Sequence, residues 1–238
     1  MIPSDYTYLL VNLLSIAVPF AFSSHPRLEF YQTWRAFWPA CLITAAAFLA
    51  WDVLYTHLGV WGFNPRYLLG IDLLNLPLEE VLFFICIPYA CTFTYACLKR
   101  LVPSDPLAGI ARPVTLALTI LLVTTAALSG GRLYTTVTFV LCAAFLIAHL
   151  LVYDADYMGW FYLSYAVIFA GPFLLVNGIL TGSFLEEQVV WYNDAENLGV
   201  RAFTIPIEDF IYGLLLYLMN VTLYERFLRK NVATGDGS

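Results

Sequence analysis

Charge is what this sequence has least of. Of its 238 residues, 12% are charged and 61% are hydrophobic, against about 25% charged in an ordinary soluble domain. The few acids and bases fall between long apolar runs, the signature of an integral membrane protein. Lysine is almost missing: Lys99 ends one apolar run and Lys230 lies in the C-terminal tail. A seven-helix retinal photoreceptor needs a lysine inside a helix for its Schiff base, so that class is excluded. The net charge is −6 and there is no basic tract, which excludes a nucleic-acid partner. The five cysteines (Cys41, Cys86, Cys91, Cys97 and Cys142) sit in or at the ends of apolar runs, with no C-x-x-C among them. They read as small membrane-embedded residues, not as a disulfide framework or zinc site. No G-x-G-x-x-G fingerprint for a dinucleotide is present. The N-terminus lacks the basic region and small-residue cleavage site of a removable signal, so the first apolar run is expected to be a retained helix.

What is present is a set of long apolar segments. A transmembrane helix needs about 20 predominantly apolar residues. Seven segments qualify, running roughly Tyr6–Phe22, Phe37–His57, Leu78–Leu98, Pro113–Ser129, Tyr134–Tyr153, Trp160–Leu180 and Ile205–Leu223. Period-two alternation is not evident, so helices rather than a barrel satisfy the backbone in lipid. The expected fold is therefore an all-α integral membrane protein of seven spans. The first, third and fifth loops and the C-terminal tail carry Arg27, Arg35, Lys99, Arg100, Arg112, Arg226, Arg229 and Lys230. The other set of loops carries Arg66, Arg132 and Arg201. The positive-inside rule then puts the N-terminus outside and the C-terminus in the cytoplasm, in the cell membrane.

The chain repeats. Shifted by 129 positions, Asn64 meets Asn193, Leu69 meets Leu198, Gly70 meets Gly199, Pro77 meets Pro206, Glu79 meets Glu208 and Glu80 meets Asp209. Phe63 falls on Tyr192 and Phe83 on Tyr212. The shared pattern is N-x4-L-G-x6-P-x-E-(E/D), without a gap. The shift carries segments 1–3 onto 5–7 and leaves the fourth as a connector. The expected organisation is a first repeat over 1–100, a connector over 101–131, a second repeat over 132–230 and a disordered tail over 231–238. The repeats are parallel, related by an axis along the membrane normal, as in transporters built from parallel repeats. The acids of both copies are expected to line one shared cavity.

Proline and carboxylates both favour the first turn of a helix, so one P-x-E-E could be ordinary helix-start chemistry. Two copies in apolar sequence point to function, because acids at membrane depth are costly. Successive residues on a helix differ by about 100°, so adjacent acids cannot both face one centre. Glu79 and Glu208, identical in both copies, are expected to face the cavity, with Glu80 and Asp209 orienting them. Burial and a like charge each raise a carboxyl pKa. Four acids around an apolar cavity are expected to hold at least one proton at neutral pH, with the helix dipole opposing. A neutral carboxyl in a dry aromatic pocket is a general acid. Tyr55, Trp61, Phe63, Phe83, Phe84, Tyr192 and Tyr212 lie near the acidic helix ends. Aromatic faces attract cations, so the constellation suits protonation of an alkene and shelter of the carbocation.

The stretches FNPRYLLGIDLLNLPLEEVLFFICIPYACTFTY and NLGVRAFTIPIEDFIY resemble the two halves, c and d, of the small membrane lycopene cyclases. The chain looks like a fused c–d form over nearly its whole length. The resemblance implies a lycopene β-cyclase, an isomerase (intramolecular lyase) of carotenoid biosynthesis. It would close β-ionone rings on lycopene to give β-carotene by way of γ-carotene, and it places Glu79, Glu80, Glu208 and Asp209 in the active site. Cyclisation gains no atoms or electrons, so no stoichiometric cofactor and no metal are expected. The partners are lycopene and related apolar carotenoids and membrane lipid. The alternatives are a 3+1+3 transporter with intramembrane carboxylates, against which no proline-glutamine pair stands at the helix positions such families use, and a cyclase of another carotenoid. Asp154-Ala155-Asp156 is too short for a magnesium-diphosphate site and reads as a solvated loop. Asp52 either joins the proton network or pairs with Arg66. Asn64 and Asn193 either orient carboxylates or serve loop turns. Arg66 and Arg201 read as headgroup or carboxylate partners, and Glu186, Glu187, Asp194 and Glu196 as a solvated acidic loop.

Overall fold

The computed structural model describes residues 4–153 and 156–233. Asp154, Ala155 and the tail beyond 233 lie outside the described residues. The chain is mostly helical: α1 (Thr7–Phe22), α2 (Trp34–His57), α3 (Leu78–Leu101), α4 (Ala108–Leu128), α5 (Leu133–Leu151), α6 (Met158–Ala170), α7 (Pro172–Leu180) and α8 (Ile207–Ala233). Among the described residues six short strands lie in two of the connections, β1 (Trp61–Phe63), β2 (Asp72–Leu73) and β3 (Leu76–Pro77) between α2 and α3, and β4 (Val190–Tyr192), β5 (Arg201–Ala202) and β6 (Ile205–Pro206) between α7 and α8.

Five helical stretches are long and apolar enough to cross a membrane: Ser4–Phe22, Phe30–His57, Leu78–Leu101, Ala108–Leu128 and Leu133–Leu151. The sixth expected segment is not one straight helix. It is α6 and α7, bent by 50° at Gly171–Pro172, and the pair counts as a sixth span only if taken together. The proline explains the break: it pushes the preceding residue out of the helical region, and Gly171 sits at φ −139, ψ −81. Proline then opens α7 at its first turn, where its missing N–H costs nothing. The seventh expected segment is helical, as α8, but is not among the candidate spans. Glu208, Asp209 and Asn220 lower its hydropathy. It also runs on to Ala233, past the start of the expected tail.

Two compact units divide the chain along lines other than the repeats. One holds Met1–Leu54, Pro65–Pro103 and Leu216–Ser238, the other Tyr55–Asn64 and Ser104–Leu215. In the first unit, α1 packs on α3. There α3 meets the C-terminal part of α8 through buried polar groups. Asn220 Nδ2 donates to Thr92 Oγ1 at 2.6 Å, and Tyr95 Oη and Lys99 Nζ both donate to the buried Glu225. A carboxylate this deep is tolerated because a cation and a hydroxyl reach it.

In the second unit α4 packs along α5. Asp105 ties the start of α6, its Oδ2 accepting from Trp160 N at 2.9 Å. β1 pairs antiparallel with β4, Trp61 opposite Tyr192 and Gly62 opposite Trp191. Gly62 has to be glycine: a Cβ there would fall 2.3 Å from Trp191 Cζ2. Gly62→Ala is therefore expected to displace the indole and destabilise the protein by about 1–3 kcal/mol, the usual range for overpacking. Thermal unfolding in detergent measures this, and an unchanged midpoint would contradict the packing described.

Candidate active site

In the first unit the P-x-E-E motif follows a hairpin. β2 and β3 pair Asp72 with Pro77 and Leu73 with Leu76, and Leu78 N donates to Ile71 O at 2.8 Å. Gly70, at φ 76, turns the chain into this hairpin, a left-handed conformation that glycine adopts without strain. The turn aims the amide of Leu69 at the helix start, where Leu69 N donates to Glu79 Oε1 at 2.7 Å. Glu79 is fully buried, and its Oε2 has no hydrogen-bond partner among the described residues. Glu80 accepts from Tyr8 Oη of α1, and Asn12 Nδ2, one turn further on, donates to Glu79 O at 2.7 Å.

The second unit has the same construction 129 residues later. β5 and β6 pair Arg201 with Pro206 and Ala202 with Ile205, and Ile207 N donates to Val200 O at 3.1 Å. Gly199 is at φ 69, and Leu198 N donates to Glu208 Oε1 at 2.8 Å. Thr135 Oγ1 of α5 donates to the same oxygen at 2.6 Å. Glu208 is fully buried, and its Oε2 again has no partner among the described residues. Asp209 is surrounded by donors: Tyr134 Oη to Oδ1 at 2.6 Å, and Tyr192 Oη and Asn177 Nδ2 to Oδ2 at 2.9 and 3.1 Å.

Aromatic rings close around that carboxylate. Tyr134 and Tyr192 stack at 5.9 Å with an interplanar angle of 11°. Trp61 meets Tyr134 edge-on at 5.0 Å and Tyr212 at 6.0 Å. Tyr55 lies against Trp61 at 4.9 Å. These rings present π faces, which favour positive charge, beside a carboxyl with defined donors.

The sequence profile of the lycopene cyclases matches residues 5–98 and 131–227, most of the chain. The chain belongs to the lycopene cyclase family. A curated relative, the bifunctional lycopene cyclase/phytoene synthase of Aspergillus oryzae, is 29% identical over 154 residues, covering 64% of this chain. The match spans only 22% of the length of that relative. No solved structure matches the chain significantly.

Phe83 lies 6.3 Å from Tyr8, the residue that holds Glu80. Phe63 is half-buried in β1, opposite Val190. Asp52 is buried in α2. Asn64 Nδ2 donates to Glu187 Oε2 at 2.9 Å, and Asn193 Oδ1 accepts from Ala195 N at 3.1 Å, so both amides serve the loops. The acidic loop is tied down more than a solvated loop should be. Glu196 Oε2 accepts from Leu133 N at the start of α5, at 2.9 Å. Asp194 pairs with Arg201 at 2.7 Å. Hydrogen bonds from Asn197 and Arg201 hold the Asp194 carboxyl below its usual pKa.

Tyr8, Asn12, Tyr134, Thr135 and Asn177 are the residues that sequence reasoning missed. A weak signal existed for the two tyrosines. They coincide at a shift of 126, not 129, as Tyr8-Leu9-Leu10-Val11 and Tyr134-Thr135-Thr136-Val137. Nothing in the sequence marks Asn177. Tyr134→Phe leaves a buried carboxyl short of a donor and is expected to cost about 1–3 kcal/mol of stability, as is Tyr8→Phe in the first unit. Thermal unfolding midpoints of the two variants check this; wild-type midpoints in both would contradict the hydrogen bonding described.

Proposed function

We propose that this chain is a lycopene β-cyclase that closes β-ionone rings on lycopene by acid–base isomerisation, with Glu79, Glu80, Glu208 and Asp209 as its reacting acids. The observation that carries this reading is the state of the two glutamates. Each has Oε1 held by a backbone N–H and a buried Oε2 with no partner among the described residues. When such a carboxyl is protonated, the proton belongs on Oε2, since Oε1 is already accepting. An acid proton with no competing acceptor is available to the weak base an alkene is.

The steps balance without a co-reactant. The π pair of the terminal alkene takes the proton from a carboxyl of Glu79 or Glu208, and the O–H pair stays on the carboxylate. The π pair of a second alkene closes the six-membered ring onto the cation. A ring C–H then gives its proton to a carboxylate of the same cluster, and its electron pair becomes the ring double bond. Donors reach both oxygens of Asp209 and favour its charged form against the cost of its burial. Trp61, Tyr134, Tyr192 and Tyr212 supply π faces for the cation.

The architecture proposed for this work is seven spans, three plus one plus three, with parallel halves arising by duplication. The bent α6–α7 pair serves as the sixth span and α8 as the seventh, with the N-terminus outside and the C-terminus in the cytoplasm of the cell. The recurrence of hairpin register, glycine and amide–carboxyl bond at a spacing of 129 supports the duplication, as does the family match in two stretches.

Expression in a lycopene-producing bacterial host tests the function. Wild type is expected to yield β-carotene, while Glu79→Gln and Glu208→Gln are each expected to lower cyclisation by about 10²–10⁴-fold, the range for loss of a general acid. Chromatography of extracted pigments reads the outcome. Lycopene left unchanged by well-folded wild type would overturn the assignment.

A further inference from the structure

The hairpins that carry the acids also carry a backbone strain. Among the described residues, the non-glycine residues with positive φ are Glu29, Leu74, Phe184 and Phe203. The last three are also the most exposed large apolar side chains, at 81%, 90% and 85%. Leu74 (φ 60) and Phe203 (φ 59) stand at equivalent places, each the first central residue of the two-residue turn joining its hairpin. Asn75 and Thr204, the second central residues, are not in that region. This is the pattern of a type II′ turn, whose first central position favours glycine. An L side chain there crowds the following carbonyl.

Glycine would relieve both turns, yet a leucine and a phenylalanine occupy them. The side chain itself must therefore be needed at the apex. Water gives no such need, since exposing Leu and Phe to it is unfavourable. The neighbours continue the apolar surface: Ile71 is 55% exposed, Leu73 57% and Val200 53%. The first hairpin also leads directly into a membrane span, since Leu78–Leu101 begins four residues after Leu74.

We infer that the tips of both hairpins dip into the bilayer, and that the occupant of their apolar surface is lipid acyl chain. The apex side chain takes its strained conformation in order to reach hydrocarbon. Each apex lies five residues before the glutamate whose Oε1 is held by the same loop. The inference concerns the fold's place in the membrane and stands independently of the reaction proposed above.

Tryptophan reporters test it. Leu74→Trp and Phe203→Trp keep a large apolar side chain at the apex, and Ala195→Trp places a reference in an exposed loop position. Each is reconstituted in phosphatidylcholine vesicles with and without brominated acyl chains, and the added emission is read as the difference from wild type, which has six tryptophans. The expected result is blue-shifted added emission at 74 and 203, quenched several-fold more by brominated chains than by aqueous iodide, with the reverse at 195. Quenching by iodide alone at the tips overturns the inference. Protection from both quenchers also overturns it and assigns the tips to a protein interface, such as a second copy of this chain. The two tips are read separately, so either variant carries the test.

Discussion

One hydrogen bond organises each half of this protein: the amide of the residue before a glycine donates to one oxygen of a buried glutamate. Leu69 holds Glu79 and Leu198 holds Glu208 in this way. The bond requires the glycine in the left-handed region to turn the chain, the short hairpin to return it, and the extended proline to start the helix in the right direction. Those are the fixed letters of the repeated motif, N-x4-L-G-x6-P-x-E-(E/D), and their spacing is the length of that loop. A backbone donor is a rigid partner. It orders one oxygen of the carboxyl and makes no bond to the other, and a flexible side-chain donor would hold that geometry less reliably.

The rest of the polar structure follows the same constraint. A buried polar group in a membrane has to find a partner in the protein. Tyr8 answers Glu80, while Tyr134, Tyr192 and Asn177 answer Asp209. Far along α3 and α8, Tyr95 and Lys99 answer Glu225. Oε2 of Glu79 and of Glu208 find no such partner among the described residues, and neither do Asn12 Oδ1 and Asn220 Oδ1.

The four acids and their loops were legible in the sequence because unlike residue types recur at one fixed spacing, and because acids are conspicuous in apolar sequence. Five of the helices were legible as apolar runs of membrane length, whereas the sixth run breaks at Gly171 and the seventh is helical but not among the candidate spans. The partners of the acids were not. Tyr8 and Tyr134 repeat at a different spacing, since the connection between the first and third helices of each half differs by three residues. Asn177 reaches Asp209 from α7, beyond the bend at Gly171, and a run of apolar residues does not reveal which way a broken helix points. For Asn64 and Asn193 the sequence left two roles open, and the contacts of their side chains are to the loops. Glu196 looked solvated because its partner, the amide of Leu133, is more than sixty residues away in sequence.

In the proposed reaction a carboxyl proton enters the substrate and remains in the ring. This is tested most directly with the purified chain in lipid vesicles containing lycopene, prepared in heavy water, and mass spectrometry of the cyclised product. One deuterium is expected for each ring closed, placed in the ring. Cyclised product without ring deuterium would contradict it.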